Sequence, residues 1–568
     1  TATGFLRMAP DGTGSDVVNT VVERMEVITD ELHVLGSGVL GLTIGCARCH
    51  SHKYDPIPQR DYYRLVATFA GAFDLHDWLK STSVRGQTDN PDDMGRLIPL
   101  ATEEERAEHA RQVAAIEQQI ADEEAKVDKA RAELLKLTRE KVLASLEEAE
   151  RQQLTEALAV AGPQRTDGQK QLVKTYQPQL KPTDAVLMQQ HSSFRKLSGQ
   201  VSKKVSALKK TLPPVPAVRA LWDRGVPSPV YIFRRGEHNN PGRLVGPGVP
   251  SVLTDGRTPF EVTPPFPDAP QTGRRLALAR WLVQPDHPLT SRVMVNRIWN
   301  HHFGRGIVRT LDNFGNTGMR PTHPELLDWL AVRFVEEGWS IKAMHRLMLQ
   351  SSTYRQVSEV TEQLEAEDEL NELFSRMPLQ RMDAEVLRDS LLAVAGELEL
   401  RRFGPPDAVA VRKDGLVTSK RGDAGWRRSV YVLHRRKEMP TMLETFDLPQ
   451  MIPNCVARPS STVASQALHM MNNGMVREVA GSFAGRVREE AGEEAGAQIE
   501  LMYQLALSRN PTSEETRLTE EALTGLTAAW TKQIGTEDGP ADEAEARQRS
   551  LANVCHSLLN SAAFLYID

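Results

Sequence analysis

The sequence predicts a mainly α-helical protein with a coiled-coil hairpin and a few short strands. Three observations support this prediction. Seven-residue spacing of apolar side chains runs through two segments between residues 101 and 212. Helical spacing returns after residue 273 and continues towards the end of the chain. Between them, residues 213–272 are rich in Pro and Gly, which favours turns and isolated strands.

Length and composition limit the class of protein. A chain of 568 residues has room for two to four domains. With 40% hydrophobic and 25% charged residues, its composition is typical of a globular protein. The net charge of −6 argues against a nucleic-acid partner. No stretch approaches the roughly 18 consecutive apolar residues of a membrane span, so none is predicted.

The chain begins Thr1-Ala2-Thr3-Gly4 and has no Met at its start. We expect a processed or truncated product, so the missing targeting signal says nothing about compartment. The four cysteines are too few for a disulfide framework. Whether Cys455 and Cys555 pair with each other or stay free is left open by the sequence.

Residues 1–78 are predicted to form a first domain, and residues 61–69 read as an amphipathic helix within it. Residues 79–212 follow as a loop to about residue 100 and then the coiled-coil hairpin. Its first arm is acid-rich and its second arm is lysine-rich, so the two arms are expected to pair antiparallel. The apolar positions of the first arm are Val113, Ile116, Ile120, Val127, Ala130, Leu134 and Leu137, and those of the second are Leu187, Phe194, Val201 and Leu208.

The hairpin is predicted to be a spacer or docking arm without chemistry of its own, through which the chain could oligomerise. Residues 213–272 are predicted to be a wrapping segment with one strand at 229–233. Residues 273–568 are predicted to be a large helical domain. Its helical patterns cover 274–284, 290–302, 323–336, 340–350, 380–399, 463–490, 496–508, 514–533 and 541–564.

Residues 46–50 read C-A-R-C-H, which is the attachment signature of a c-type haem. A shuffled chain of this composition would contain about 0.0007 such matches, so coincidence explains it poorly. On a helix, Cys46, Cys49 and His50 share one face, from which two thioethers and a proximal imidazole could reach one macrocycle. Gly41 and Gly45 remove side-chain bulk beside it, although glycine also permits any tight turn.

Two alternatives to haem remain open at this point. Cys46, Cys49 and His52 could supply three ligands to zinc, but a closed site needs a fourth and no second C-x-x-C lies nearby. The cysteines could also be a redox or structural pair. His52 lies about 200° round a helix from His50, so it cannot bind the same iron from the other face. It could instead contact a haem propionate or lie on the protein surface.

The sixth ligand of a haem iron is not determined by the sequence. The candidates are Met8, Met25, His33 and His76. A methionine would raise the reduction potential relative to a second histidine, and an empty position would allow small-ligand chemistry.

Several long stretches resemble two planctomycete domain families. LGLTIGCARCHSHKYDPIPQRDYYRLVATFAGAF resembles the C-terminal end of the cytochrome-c-like DUF1549 domain. The stretch from SRVMVNRIWNHHFGRG to QSSTYRQ resembles the core of its usual companion, the DUF1553 domain, and RMDAEVLRDSLLAVAGEL and STVASQALHMMNN extend that likeness. The resemblance implies haem at Cys46, Cys49 and His50, and an absent N-terminal cytochrome portion.

Residues 296–306 and the loop after them form a second candidate site. His301, His302 and His323 are candidate acid–base or metal-binding groups, and Asp312 a candidate carboxylate. With Trp299 as a stacking surface, the cluster could bind a polysaccharide. The alternative is structural: Trp299 fills the core, and Arg297 and Asp312 form a buried ion pair.

From these observations we expect an extracytoplasmic c-type cytochrome-like protein whose haem serves electron transfer or redox chemistry with a partner protein. The compartment follows from the chemistry, because haem is attached covalently outside the cytoplasm. The helical domain would supply docking or substrate binding. Two other hypotheses remain. One is a non-redox interaction protein with a Cys/His metal site, for which zinc is the alternative cofactor, and the other is a carbohydrate-binding or carbohydrate-active protein using residues 296–323.

Overall fold

The computed structural model describes residues 20–78, 97–99, 102–213, 217–219, 221, 223, 225–269, 271–422, 424–435, 438–449, 455–537 and 542–567. The described residues fall into two compact units. One lies within residues 80–222, and the other is made from residues up to 79 and from 223 onwards. The prediction of a mainly helical chain with a few short strands is confirmed.

The larger unit begins with the segment that carries the cysteines. Helix α1 (Val21–Leu35) runs into a π-helical turn, Gly36–Leu40, and then a 3-10 turn, Gly45–Arg48. Helix α2 (Gln59–Phe69) buries almost its whole length, including Tyr62 and Tyr63. The predicted helix at 61–69 is therefore present and starts two residues earlier.

The smaller unit is the coiled-coil arm. It contains, in order, β1 (Leu97–Pro99), α3 (Glu103–Ala144), α4 (Glu148–Ala159), α5 (Asp167–Leu180), α6 (Asp184–Gln190), α7 (Ser192–Thr211) and β2 (Ala217–Arg219). Helices α3 and α7 pack antiparallel, as predicted, and Lys204 Nζ lies 2.6 Å from Glu123 Oε1 across them. Strands β1 and β2 pair antiparallel.

Two details of the arm differ from a simple two-helix hairpin. Three further helices, α4 to α6, lie between its long helices, and α5 packs against both α3 and α4. Of the apolar positions predicted to face the partner helix, Ile120, Phe194 and Val201 are buried, but Leu137 is 52% exposed. Leu137 lies towards the C-terminal end of α3, past Arg131, which already pairs with Asp184 of α6 and not with α7.

After the arm, β3 (Val230–Phe233) and β4 (Pro241–Val245) form an antiparallel hairpin with a bulge. The strand predicted at 229–233 is therefore present. The helices that follow are α8 (Arg274–Leu282), α9 (Thr290–Phe303), α10 (Pro324–Glu336), α11 (Ile341–Leu349) and α12 (Glu362–Glu367). Helices α9, α10 and α11 enclose a core that includes Trp299, Phe303, Phe334 and Met344.

The remaining elements are β5 (Gln380–Arg381), α13 (Ala384–Val394), β6 (Leu398–Glu399), β7 (Val409–Val411), β8 (Val417–Ser419), β9 (Trp426–Arg427), α14 (Thr441–Thr445), α15 (Ala464–Asn472), α16 (Gly474–Ala491), α17 (Ala495–Leu507), α18 (Ser513–Glu537), α19 (Glu543–Leu559), α20 (Ala562–Leu565) and β10 (Tyr566–Ile567). Strands β6 and β9 pair in parallel, whereas β5 with β10 and β7 with β8 are antiparallel. A second core, with Leu391, Phe483 and Cys555, joins α13 to the C-terminal helices.

Two predicted helices are interrupted. The pattern at 380–399 divides into β5, α13 and β6, because Arg381 pairs with Tyr566 before the helix starts. The pattern at 463–490 divides into α15 and α16 at Asn473, whose side chain accepts hydrogen bonds from the Met475 and Val476 amides and so caps a new helix. None of the described helices is both long enough and apolar enough to cross a membrane.

Candidate functional site

The cysteine motif lies on a tight turn between α1 and α2, not on an α-helix as the sequence led us to expect. Gly41 makes the reversal possible: its φ is +60°, and a Cβ there would lie 2.8 Å from Phe314 and from Val293. The Gly41 carbonyl accepts a hydrogen bond of 2.7 Å from the Phe314 amide. The turn is therefore packed directly on α9 and on the loop between α9 and α10, residues 304–323.

Arg48 fixes the turn from both sides. Its guanidinium lies 2.8 Å from Glu26 Oε1 and donates to Thr29 Oγ1 on α1. Its backbone carbonyl accepts hydrogen bonds from Gln59 Nε2 and from the Tyr63 hydroxyl on α2. Burial raises the pKa of Tyr63, so this hydroxyl stays protonated and remains a donor. Both helices thus hold the backbone between the two cysteines.

The two thiols are free and exposed. Cys46 lies in the 3-10 turn and Cys49 directly after it, with the Cys49 amide 3.4 Å from the Cys46 carbonyl. A Cβ on Gly45 would meet nothing within 4 Å, so the space in front of this residue is open. Cys49 is more closely packed, because the backbone of Gly236 lies beside it and a Cβ on Gly236 would lie 2.8 Å from the Cys49 sulfur.

His50 is exposed, and its ring orientation is set locally. Nδ1 lies 2.7 Å from the Ser51 carbonyl oxygen. A carbonyl oxygen only accepts hydrogen bonds, so Nδ1 carries the proton and Nε2 keeps its lone pair. Histidines that bind metals commonly donate their second ring N–H in this way.

The ring of His52, by contrast, is held by hydrogen bonds within the loop that leads to α2. Its side chain is 3% exposed, so it is not a surface histidine. Nδ1 accepts hydrogen bonds from the Asp55 and Tyr54 amides, and Nε2 lies 3.4 Å from Thr43 Oγ1. Both ring nitrogens are therefore engaged away from the thiols, which leaves neither ready to bind zinc with them.

Asp55 joins this loop to the segment after α9. One carboxylate oxygen accepts a hydrogen bond of 2.7 Å from the Asn316 amide, and Asn316 Nδ2 donates to the Tyr54 carbonyl. The other oxygen is buried 3.4 Å from His52 Nδ1 and has no hydrogen-bond partner. Across the described ranges, no group of three His, Cys, Asp or Glu side chains could hold a metal ion.

The candidates for a sixth ligand are dispersed. Met25 is buried on the inner face of α1, whereas His33, near the end of the same helix, and His76, after α2, are exposed. Met8 lies outside the described residues. Among the described residues, no hydrogen bond or ion pair joins the side chain of any of these three candidates to the Cys46–His50 turn.

The second candidate site is largely core. Trp299 is 6% exposed and stacks on Phe303 with ring centroids 4.1 Å apart, so it offers no surface to a sugar ring. The expected pair of Arg297 with Asp312 is wrong: Arg297 donates to the Ser37 carbonyl instead, and Asp312 is exposed. Burial lowers the pKa of Arg297.

The histidines of this region do not converge on one point. His302 Nε2 lies 2.7 Å from His345 Nδ1 on α11, a partner that the sequence analysis missed. Burial lowers the pKa of His301 and of His302. His323 contacts the Thr322 hydroxyl through Nδ1 and lies against Phe374. Only the packing of α9 on α11 could have identified His345.

A groove of about 600 Å³ lies between α13 and residues 428–434. It brings Arg428 and Arg458 together, which the sequence could not establish. Both are neutralised, because Arg458 binds Glu385 through two hydrogen bonds and Arg428 lies 3.3 Å from Asp389. The floor is mainly apolar, with Val386, Leu443 and neighbouring residues. Arg435 pairs with Glu438 instead.

Comparison with family models finds two matches. Residues 1–73 match PSCyt2, described as a protein of unknown function (DUF1549). Residues 274–523 match PSD1, described as a protein of unknown function (DUF1553). No curated protein and no solved structure matches the chain. The cysteine turn and α2 thus fall in the first region, and α8 to α17 in the second. The chain therefore carries one region that matches the DUF1549 model, residues 1–73, and one that matches the DUF1553 model, residues 274–523.

Proposed function

We propose that this chain is an extracytoplasmic c-type cytochrome-like protein in which Cys46 and Cys49 hold a haem and His50 is its proximal ligand. One observation carries the proposal: two exposed free thiols share a short turn with a histidine whose Nδ1 is engaged and whose Nε2 is free. This donor set is the one that the C-x-x-C-H signature requires.

The surroundings of the turn fit a large flat group. The space in front of Gly45 is open, so a macrocycle bonded through both sulfurs would not collide with that residue. The Ser51 carbonyl holds the Nδ1–H and thereby keeps Nε2 in the tautomer that binds iron. The engagement of both nitrogens of His52 within its own loop favours haem over a zinc site built on the same cysteines.

The chain's own residues have separable roles in this site. Glu26, Gln59 and Tyr63 hold Arg48, and Arg48 fixes the spacing between the two thiols. His50 is oriented by the residue next to it. A bound haem c would supply one-electron redox chemistry, and its electron would be exchanged with a partner protein. Because haem is attached covalently outside the cytoplasm, the proposal places the chain in the periplasm or another extracytoplasmic compartment.

The test is a mass spectrum and an absorption spectrum of the full chain, produced in a host that attaches c-type haem. We expect a mass increase equal to one haem and a Soret band that survives acid–acetone extraction. Cys46→Ala with Cys49→Ala should lose both signals. Cys455→Ala is the matched control, because Cys455 is also free but lies outside the turn; it should keep the haem.

A colourless chain that carries one equivalent of zinc by elemental analysis would contradict the proposal. So would a chain in which Cys46 and Cys49 form a disulfide after maturation in that host. His50→Ala distinguishes the roles within the motif, since a haem retained through thioethers should then show an altered Soret maximum.

A further inference from the structure

The hairpin β3–β4 lies between the two family matches and forms one side of the cysteine site. Gln59 Nε2 donates to the Arg48 carbonyl and to the Phe233 carbonyl, each at 3.0 Å, and so ties the hairpin to the turn. The rings of Tyr63 and Phe233 meet edge to face, 5.4 Å apart. Helix α2 thus connects the hairpin to the carbonyl of Arg48, which lies between the two cysteines in the chain.

The tip of the hairpin reaches Cys49 itself. Its turn is closed by hydrogen bonds from the Arg234 amide to the Asn240 carbonyl and from the Asn240 amide to the Glu237 carbonyl. Gly236, with φ of +77°, packs its backbone where a Cβ would lie 2.8 Å from the Cys49 sulfur. Gly236 is therefore a direct neighbour of the thiol, and Arg235 and Glu237 are next to it in the chain.

Basic residues lie next to the parts of the chain that form the site: two in the hairpin turn directly before Gly236, and one three residues after His50. We call Lys53, Arg234 and Arg235 the basic rim; all three are exposed, and none forms an ion pair with another described residue. Two other arginines nearby already have acidic partners. Arg48 pairs with Glu26, and Arg60 lies 3.4 Å from the buried carboxylate of Asp61.

Glu237 is the acid within the hairpin turn, so the rim keeps an excess of two positive charges over it. That excess stands out on a chain whose net charge is −6. The free thiols also open onto this surface and are not enclosed in a cavity. An open reactive site bordered by unpaired cations is suited to a macromolecular partner more than to a small ligand.

We propose that the basic rim is the docking surface for an acidic face of a partner protein, which it attracts and orients towards Cys46, Cys49 and His50. This rests on the proposed function, under which the partner exchanges electrons with the haem. Complementary charges around such a contact raise the association rate and select the partner. A nucleic acid is a poorer fit, because it gains affinity from many phosphate contacts and the chain as a whole repels it.

The test measures the electrostatic field at the thiols of the full chain, produced without haem attachment. Two thiol reagents of similar size are compared: the anionic sulfonatoethyl and the cationic trimethylammonioethyl methanethiosulfonate. Peptide mass spectrometry gives the rate at Cys46 and at Cys49, and a small free thiol gives the reference. We expect the anionic reagent to be favoured about tenfold at low salt, with the preference lost at high salt.

Arg234→Glu with Arg235→Glu should reverse the preference. Arg402→Glu with Lys413→Glu is the matched control, because both residues are exposed and unpaired among the described residues but belong to the segment around β7 and β8; it should leave the ratio unchanged. Polyglutamate should protect both cysteines from modification at low salt, and polylysine should not. Equal rates for the two reagents would overturn the proposal, and so would anionic preference without protection by polyglutamate.

The same comparison separates this proposal from the haem assignment. On haem-bearing chain, reduced haem should react faster with hexacyanoferrate(III) than with cationic hexaamminecobalt(III) after correction for driving force. If the chain never acquires haem but favours the anionic reagent, the redox assignment is refuted and the docking surface is supported. If the chain carries haem but shows no charge preference, the redox assignment is supported and the docking surface is refuted.

Discussion

His287 shows how one buried side chain can make stability depend on pH. Its Nδ1 accepts hydrogen bonds from the Leu289 and Thr290 amides at the start of α9, and its ring packs edge to face on Trp281 at 4.4 Å. Burial lowers the pKa of His287 to about 4. The ring therefore stays neutral in the folded protein at pH values where an unfolded chain, with a pKa near 6.5, already binds a proton.

The sign of the effect follows from this difference. Between about pH 6.5 and pH 4 the unfolded chain binds more protons at this position, so the free energy of unfolding falls as the pH falls. His287→Asn keeps an acceptor for the helix amides but removes the titration. We expect its melting temperature to fall less than that of the wild type between pH 7 and pH 4.5, as measured by calorimetry.

Above pH 7 the melting temperatures of wild type and variant should change with pH to the same extent, because His287 is then neutral in both the folded and the unfolded chain. The slope below that pH will not vanish, since burial also lowers the pKa of His301, His302 and His469. Identical slopes for wild type and variant between pH 7 and 4.5 would show that His287 does not titrate abnormally.

Gly236 is the position at which a single added methyl group should disturb the cysteine site. Gly236→Ala places a Cβ 2.8 Å from the Cys49 sulfur and leaves a non-glycine residue at φ of +77°. We expect a loss of about 1–2 kcal/mol in the free energy of unfolding, together with a changed alkylation rate at Cys49 but not at Cys46.

Gly246→Ala is the control for that variant. Gly246 follows β4, has no positive φ, and has open space where a Cβ would lie. Its stability should change by less than about 0.5 kcal/mol. If Gly236→Ala behaved in the same way, with an unchanged rate at Cys49, the contact between the hairpin tip and the thiol would be refuted.

At the scale of elements, α9 is tied to the loop after it by one buried amide. Asn296 is fully buried; its Nδ2 donates to the Val308 carbonyl and its Oδ1 accepts from the Val308 amide, each at 2.8 Å. This exchange gives the irregular loop the pairing that a strand neighbour would otherwise supply. The same loop receives Gly41 and Asp55 from the cysteine segment.

Asn296→Ala would leave both backbone groups of Val308 buried without a partner. We expect it to lower the free energy of unfolding by about 2–4 kcal/mol. Asn300→Ala, one helical turn further on, should change it by less than about 0.5 kcal/mol, because Asn300 is half-buried and its side chain has no described hydrogen bond. Urea denaturation of both variants measures the difference; equal losses would contradict the role given to Asn296.

At the scale of the whole molecule, the two compact units should unfold separately. Each has its own core, with Ile120, Val201 and Val205 in the arm and two larger clusters in the other unit. We expect two calorimetric transitions in the wild type. Phe194→Ala empties a buried position of α7, at a cost of about 3–5 kcal/mol, and should lower one transition only.

Leu137→Ala is the control in the same arm. Leu137 occupies a predicted core position in sequence but is 52% exposed, so its replacement should leave both transitions unchanged to within about 1 kcal/mol. A single transition that shifts as a whole in Phe194→Ala would show that the arm and the larger unit unfold together.

The sequence by itself determined the properties that depend on neighbours along the chain. The helical class, the antiparallel pairing of α3 with α7, the strand at 230–233 and the C-x-x-C-H cluster all follow from spacing of side chains within short segments. Such signals persist because a helix or strand must bury its own apolar face wherever it packs.

Only the tertiary structure decided which segments meet. It placed Gly236 on Cys49, His345 on His302 and Arg428 beside Arg458, over separations that no local pattern records. It also buried His52, for which the sequence had left a surface position open, and it decided between the two alternatives for Trp299 in favour of the core. The physical reason is that burial and electrostatic environment are set by the packing of distant elements, whereas periodicity reports only the face that an element must hide.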